Sequence, residues 1–213
     1  MYEKYLKRAI DVALCILMTP IIIPVIGVCA LFVILEDRGP AFYCGERLGK
    51  KGDIFKMFKL RSMKVDAPDI RNSDGTTYNS ENDPRMTKVG RILRKTSLDE
   101  LPQFINVLIG DMSFVGPRPD LPEHVNYYQN DEVRRLDVLP GISGYNQAYF
   151  RNNIEWKERI KNDIYYVDNI SFKFDVKICM VTIINIIRRK GVYSSRSIQS
   201  DGKGMKQNVQ ADQ

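Results

Sequence analysis

Histidine is almost missing from this chain: His124 is the only one in 213 residues. That excludes a histidine-based relay or a multi-histidine metal centre, and His124 itself reads as a surface residue. Four cysteines, Cys15, Cys29, Cys44 and Cys179, form no CxxC pair. Neither a disulfide framework nor a zinc ribbon is encoded, as expected of a reducing compartment. No Walker or Rossmann glycine pattern occurs, and no repeat. Finger, KH and RRM patterns are also missing, and the 32 basic residues form no single stripe. The reading is therefore no nucleic acid. An excess of +6 suits an anionic membrane face or a phosphate-bearing substrate instead.

What the chain does have is a charge-free run from Val12 to Leu35, nearly all Ile, Leu, Val, Met, Ala and Cys. As a helix it reaches roughly 36 Å, enough for a hydrocarbon core of about 30 Å. Its length, and the lack of a small-x-small site before Glu36-Asp37-Arg38, argue for a retained anchor rather than a signal peptide. Pro20 and Pro24 sit near its middle. Both flanks are basic, Lys4, Lys7 and Arg8 before it and Arg38, Arg47, Lys50 and Lys51 after it. That gives little bias towards opposite sides of a bilayer. A kinked single span and a helix broken at the prolines both remain open on these residues.

The remainder reads as an α-rich α+β domain. Boundaries fall at 1–36 for the anchor, 37–191 for a polar domain and 192–213 for a polar, disordered tail. Gly39 to Cys44 and Ile54 to Arg61 read as strands of a small β-hairpin around a Gly- and Lys-rich turn. Asp66 to Pro84 is a polar loop. Helices are expected over Thr87–Lys95, Asp99–Leu108 (stopped by Gly110), Leu121–Leu136 and Trp156–Val167. A last apolar segment, Phe172 to Lys190, is too short for a comfortable span. It reads either as an interfacial helix with a basic end or as a buried helix.

The chemically suggestive segment is Arg94-Lys95-Thr96-Ser97-Leu98-Asp99-Glu100-Leu101-Pro102-Gln103. Ser97 and Glu100 have capping-box spacing, but that register puts Pro102 at a costly fifth position. With Asp99 as cap, Pro102 falls in the tolerant first turn, which is the preferred register. Free amides beside Asp99 then suit a phosphate, and its carboxylate suits Mg²⁺. Downstream, Gly116-Pro117-Arg118-Pro119 aims one guanidinium, able to fork onto a phosphate or to form a structural ion pair.

Together these motifs resemble the bacterial sugar transferase family, the monotopic phosphoglycosyl transferases, and in particular its small members that start bacterial N-glycans. The resemblance rests on Lys7-Arg8-Ala9-Ile10-Asp11, Phe58-Lys59-Leu60-Arg61-Ser62-Met63, Thr96 to Gln103, Phe114 to Pro119, Pro140 to Tyr145, and Asp163-Ile164-Tyr165-Tyr166. It implies transfer of a sugar-1-phosphate from a UDP-sugar, with an N-acetylated amino sugar as the family-level donor, to undecaprenyl phosphate, releasing UMP and starting glycan assembly. It also implies a re-entrant helix-break-helix with both ends cytoplasmic, in a bacterial inner membrane, and surface helices on that membrane face. The family's break matches Pro24, with Pro20 a second candidate. A serine usual before the break is Ile23 here, and Tyr145 to Arg151 replaces a stretch that usually carries a Trp and more glycine.

The implied roles are Asp99 as nucleophile and Mg²⁺ ligand, and Glu100 as organiser of the acceptor phosphate or a proton on it. Lys59, Arg61, Arg94 and Arg118 are phosphate contacts and Arg151 is a donor contact. Pathway glycosyltransferases or a second copy are further expected partners. Two rivals stand beside this reading: a membrane-anchored scaffold for glycan enzymes, and a hydrolase transferring to water.

Overall fold

The computed structural model describes residues 2–70, 78, 80, 82–150 and 154–188. The centre of the expected 66–84 loop, Arg151, Lys190 and the 192–213 tail lie outside the described residues. A single long helix, α1 (Lys7–Asp37), runs unbroken through Pro20 and Pro24. The prolines bring no amide to the carbonyls of Ile16 and Pro20. Thr19 does not compensate, because its hydroxyl donates to the Cys15 carbonyl at 2.7 Å. Among the described residues α1 is the one helix long and apolar enough to cross a membrane.

Only a narrow stripe of α1 is covered: Asp11, Cys15, Ile22, Cys29, Ala30 and Val33. Asp11, Cys15, Ile22, Cys29 and Val33 return at steps of four or seven residues, which places them on one face of a helix, with Ala30 beside Cys29. Leu17, Ile21, Ile23 and Leu35 are each more than 60% exposed, on a surface too apolar for water alone. Both ends of α1 grip the polar domain. Arg8 donates to the carbonyls of Val107 and Leu108. Twenty-eight residues on, Glu36 accepts from the amides of Lys88 at 2.6 Å and Val89 at 3.0 Å.

The expected hairpin is present as β1 (Phe42–Leu48) and β2 (Ile54–Leu60), antiparallel with Phe42 opposite Leu60 and Leu48 opposite Ile54. Helix α2 (Lys88–Thr96) is capped by Thr87, whose hydroxyl accepts from the Gly90 amide at 2.9 Å. Helix α3 (Gln103–Ile109) ends at Gly110, whose φ of 105° is left-handed. One core cluster joins Cys15 and Ile22 of α1 to Phe55 and Met57 of β2 and to Phe104 and Val107 of α3. Helices α4 (Tyr145–Tyr149), α5 (Trp156–Asp168) and α6 (Phe172–Ile187) complete the described chain.

Three local expectations are corrected. The helix placed at Asp99–Leu108 begins later, at Gln103, with Pro102 as its cap and no side-chain capping bond. Ser97 is instead the left-handed end of α2, at φ 58°, and Leu98–Glu100 is a 3₁₀ turn. Proline has no amide to offer, so bonds of i to i+3 type, Glu100 to Ser97 and Leu101 to Leu98, carry the chain into α3. Leu121–Leu136 is two 3₁₀ stretches, Pro122–Tyr127 and Asn130–Leu136, rather than one helix. Arg135 in the second stretch is drawn into a buried charge network instead of onto a solvated helix face. His124 is not a surface residue: its side chain is 15% exposed and packs edge-on to Trp156 at 5.6 Å.

The proline- and glycine-rich segments turn out to be a second sheet. Strands β3 (Ser113–Val115) and β4 (Gly141–Ser143) pair in parallel. Their glycines allow close approach: a Cβ on Gly141 would stand 2.1 Å from the Gly116 amide nitrogen, and one on Gly144 2.2 Å from the Gly116 carbonyl. Helix α6 buries Asp175 and Ile178 while leaving Val176, Met180, Ile183 and Ile187 exposed, so the buried-helix reading fits only part of it.

Candidate active site

The 3₁₀ turn sets Asp99 and Glu100 side by side between α2 and α3, and β2 lies alongside. From β2, Lys59 Nζ reaches Glu100 Oε1 at 3.0 Å. From the turn after β3, Arg118 Nη2 reaches the same oxygen at 2.8 Å. Pro117 and Pro119 flank that arginine and stiffen its backbone. Arg118 remains 41% exposed while Glu100 and Lys59 are about half as open, so the guanidinium forms the outer lip of the site.

The two carboxylates are driven apart electrostatically. Burial alone would raise the Glu100 carboxyl, but the charges and hydrogen bonds of Arg118 and Lys59 outweigh it and hold it well below the usual carboxylate range. Asp99 goes the other way. Burial, then the adjacent Glu100 charge, pushes its carboxyl up against the pull of Lys59, Arg94 and Arg118. It is buried, yet among the described residues no hydrogen bond holds its carboxylate. Burial also lowers Lys59, with Glu100 opposing.

A buried scaffold fixes the Arg118 turn from behind. Arg135 Nη2 donates to the Arg118 carbonyl at 3.0 Å and to Asp163 Oδ2 at 2.7 Å, while its Nη1 pairs with Asp120. Asp163 accepts from Asn146 Nδ2 at 2.7 Å, and Asp120 from the Tyr128 hydroxyl at 2.9 Å. Further residues of the motifs serve as struts. Lys7 pairs with Asp175 at 2.5 Å, Asp11 accepts from the Phe114 amide at 3.3 Å, and the Tyr166 hydroxyl lies 2.8 Å from Asp175 and 3.1 Å from the Val115 carbonyl.

Of the sequence-derived site residues, Asp99, Glu100, Lys59 and Arg118 converge, and the Arg94 charge bears on Asp99. Arg61 does not join them in this structure. Its guanidinium is spent on Asp37 at 2.6 Å, the Pro40 carbonyl at 2.6 Å and the Met63 carbonyl at 2.9 Å. Arg61 is two residues from Lys59 on the same strand register, yet β2 has ended between them at Leu60. Sequence reasoning missed Asp120 and Arg135. Arg135 lies in the segment read as a charged helix and Asp120 just before it, and neither pattern signals that these charges are internal.

The sequence profile described as Bacterial sugar transferase matches residues 2–189. The chain belongs to the bacterial sugar transferase family. Relatives in this family include the UDP-glucose:undecaprenyl-phosphate glucose-1-phosphate transferase of Escherichia coli (strain K12), 41% identical over 199 residues. The UDP-N-acetylgalactosamine-undecaprenyl-phosphate N-acetylgalactosaminephosphotransferase of Aeromonas hydrophila is 35% identical over 191 residues. The matches cover 90% and 86% of this chain but 42% and 44% of those proteins. The chain thus spans less than half the length of several curated relatives. The uncharacterized sugar transferase EpsL of Bacillus subtilis (strain 168) is matched nearly end to end: 37% identity, 92% of this chain and 94% of EpsL.

Proposed function

We propose that this protein transfers a sugar-1-phosphate from a UDP-sugar to undecaprenyl phosphate, releasing UMP, through a phosphosugar bonded to Asp99. The observation that carries the reading is the asymmetry of the acidic pair: Glu100 is held ionised by two cations, while the buried Asp99 carboxylate has no hydrogen bond among the described residues. A nucleophile needs lone pairs that nothing else occupies, and its raised pKa makes it more basic than an ordinary aspartate. An Asp99 oxygen attacks the β-phosphorus. A new P–O bond forms, the bond to UMP breaks, and the electron pair leaves on UMP. A lipid phosphate oxygen then attacks the same phosphorus and returns the carboxylate.

Each step brings anions together, so positive charge must be in place beforehand. Glu100 orients Lys59 and Arg118 towards the entering phosphates. A carboxylate held so far below its usual range is a poor proton carrier at neutral pH, which favours this role over acid–base work. Mg²⁺ fits the site in a limited sense. Among the described residues no three His, Cys, Asp or Glu side chains converge, but the uncommitted Asp99 carboxylate suits an ion whose remaining ligands are phosphate oxygens and water. When bound, Mg²⁺ would neutralise charge developing on the diphosphate.

The acceptor has a lipid tail, and the exposed apolar faces of α1 and α6 support a seat at the bilayer. Both ends of α1 grip the same domain, which supports attachment at a single face, proposed to be the cytoplasmic one; entry and exit on that face would require α1, continuous here, to bend at Pro20 or Pro24. The donor proposed is an N-acetylated amino sugar, as in the Aeromonas relative's name.

The test supplies Mg²⁺, a panel of UDP-sugars and undecaprenyl phosphate, and follows UMP. Catalytic release is expected only with the lipid, and at most one equivalent without it. Sustained release without lipid would mean transfer to water. An Asp99→Asn protein turning over at the unmodified rate would place the chemistry elsewhere.

A further inference from the structure

Gln103 is among the most enclosed side chains of the protein, at 1% exposure, and its Nε2 has no hydrogen-bond partner. A carboxamide cut off from water normally has its donors satisfied, so an orphaned one asks for an acceptor that arrives later. Its place in the chain says where. Leu98–Glu100 is 3₁₀, Leu101 and Pro102 keep right-handed helical angles, and α3 begins at Gln103 itself. The backbone is therefore helical from Leu98 onward. Side chains three and four apart share a face, which puts Gln103 beneath Glu100 and Asp99.

The turns on both sides of Gln103 are fastened to β2. Glu100 is held by Lys59 Nζ. Asn106, one turn on, accepts from the Phe58 amide at 2.9 Å and donates to the Lys56 carbonyl at 2.8 Å. Gln103 sits between these two fastenings, so its amide is held rather than free to turn towards water. Asn106 has spent its own amide, and Glu100 Oε1 already accepts from two cations.

We propose that Gln103 is a catalytic hydrogen-bond donor, its Nε2 binding a non-bridging oxygen of the phosphoryl group as Asp99 takes it. This rests on the reading of Asp99 as nucleophile. Negative charge on that oxygen is shared between two P–O bonds during transfer, and a neutral donor held on the helix beneath Asp99 stabilises it once substrate entry opens a path to Nε2. The charges balance. A UDP-sugar dianion and the Asp99 carboxylate give a singly charged acyl phosphate, a mixed anhydride of Asp99 and the sugar phosphate, and a UMP dianion. Attack by the lipid phosphate dianion returns the carboxylate, with no proton gained or lost. Gln103 keeps its own proton throughout.

The experiment compares wild type, Gln103→Met and Gln103→Glu for UMP release with lipid acceptor, for the single burst without it, and for melting temperature. Methionine fills similar volume without a donor; glutamate replaces the donor by an acceptor. For Gln103→Met the expected result is a kcat lowered about 100-fold, the scale of removing one preorganised donor. The burst should slow in parallel, the donor KM should stay within about threefold, and the melting temperature should be unchanged or raised, because no polar group is then stranded. Gln103→Glu should be slower still. Wild-type kcat in Gln103→Met overturns the proposal. So does a fall in activity that only tracks a falling melting temperature in both variants, which marks a packing residue. A wild-type protein that releases no UMP would remove the Asp99 reading itself, an outcome distinct from an active wild type with an equally active Gln103→Met.

Discussion

Arg118 Nη2 stands 2.8 Å from Glu100 Oε1, the oxygen that also receives Lys59. One carboxylate oxygen thus collects two cations, while the neighbouring Asp99 meets them only through space. Removing the Glu100 charge should therefore release both cations onto Asp99 and end the repulsion that helps raise it. In Glu100→Gln the acid limb of the pH–rate profile should move to lower pH while kcat falls. The profile of burst UMP release measures this; a limb moving upward would contradict the arrangement.

Asp99→Asn should abolish turnover and stabilise the fold. The carboxyl pKa is raised on folding, so its contribution favours the native state below the unfolded value of 3.8 and is lost as pH climbs through the folded value. At neutral pH the buried charge is a cost, and asparagine removes it. A higher melting temperature than wild type at neutral pH is expected. The difference should shrink as pH approaches 4, and thermal melts at two pH values would show it.

Arg61→Met should weaken the fold rather than the chemistry. The change strands Asp37 and the carbonyls of Pro40 and Met63, at an expected loss of about 1–3 kcal/mol. Donor KM should remain within about twofold at temperatures where the variant is folded. A large rise in KM with an unshifted melt would return Arg61 to the phosphate site.

Arg135→Met leaves Asp163 and Asp120 buried beside one another without their cation. Breaking such a network from one side costs about 3–5 kcal/mol. Adding Asp163→Asn should restore part of that loss, a coupling readable by denaturant titration. If the double variant is no more stable than the single, the network is not cooperative.

Much of this architecture is legible in the sequence wherever a local pattern dominates. The uncharged run marks α1, alternation marks β2, and Thr87 and Gly110 punctuate α2 and α3. The acidic pair stands out because of the company of the Phe114–Pro119 and Pro140–Tyr145 motifs, but Pro102 hides the real helix start. It replaces i to i+4 bonding by 3₁₀ turns that no periodicity announces. The β3–β4 pairing is hidden for another reason. It joins Ser113 to Gly141 across a long connection, and its glycines are needed for backbone contact rather than for phosphate. Lys59 and Arg61 look alike on paper. Arg61 bonds to Asp37 at the far end of α1 and to the Pro40 and Met63 carbonyls, whereas Lys59 pairs with Glu100.

Helix α1 is stitched to the globular part by Arg8 at one end and Glu36 at the other. A peptide anchored at a single point lets its cargo pivot and bob, whereas two stitches about thirty residues apart take those motions away. Asp99 therefore keeps a constant height relative to the apolar stripe, whatever surrounds it. The distance from that stripe to the Asp99 carboxylate is a dimension of the folded chain, set before any substrate arrives.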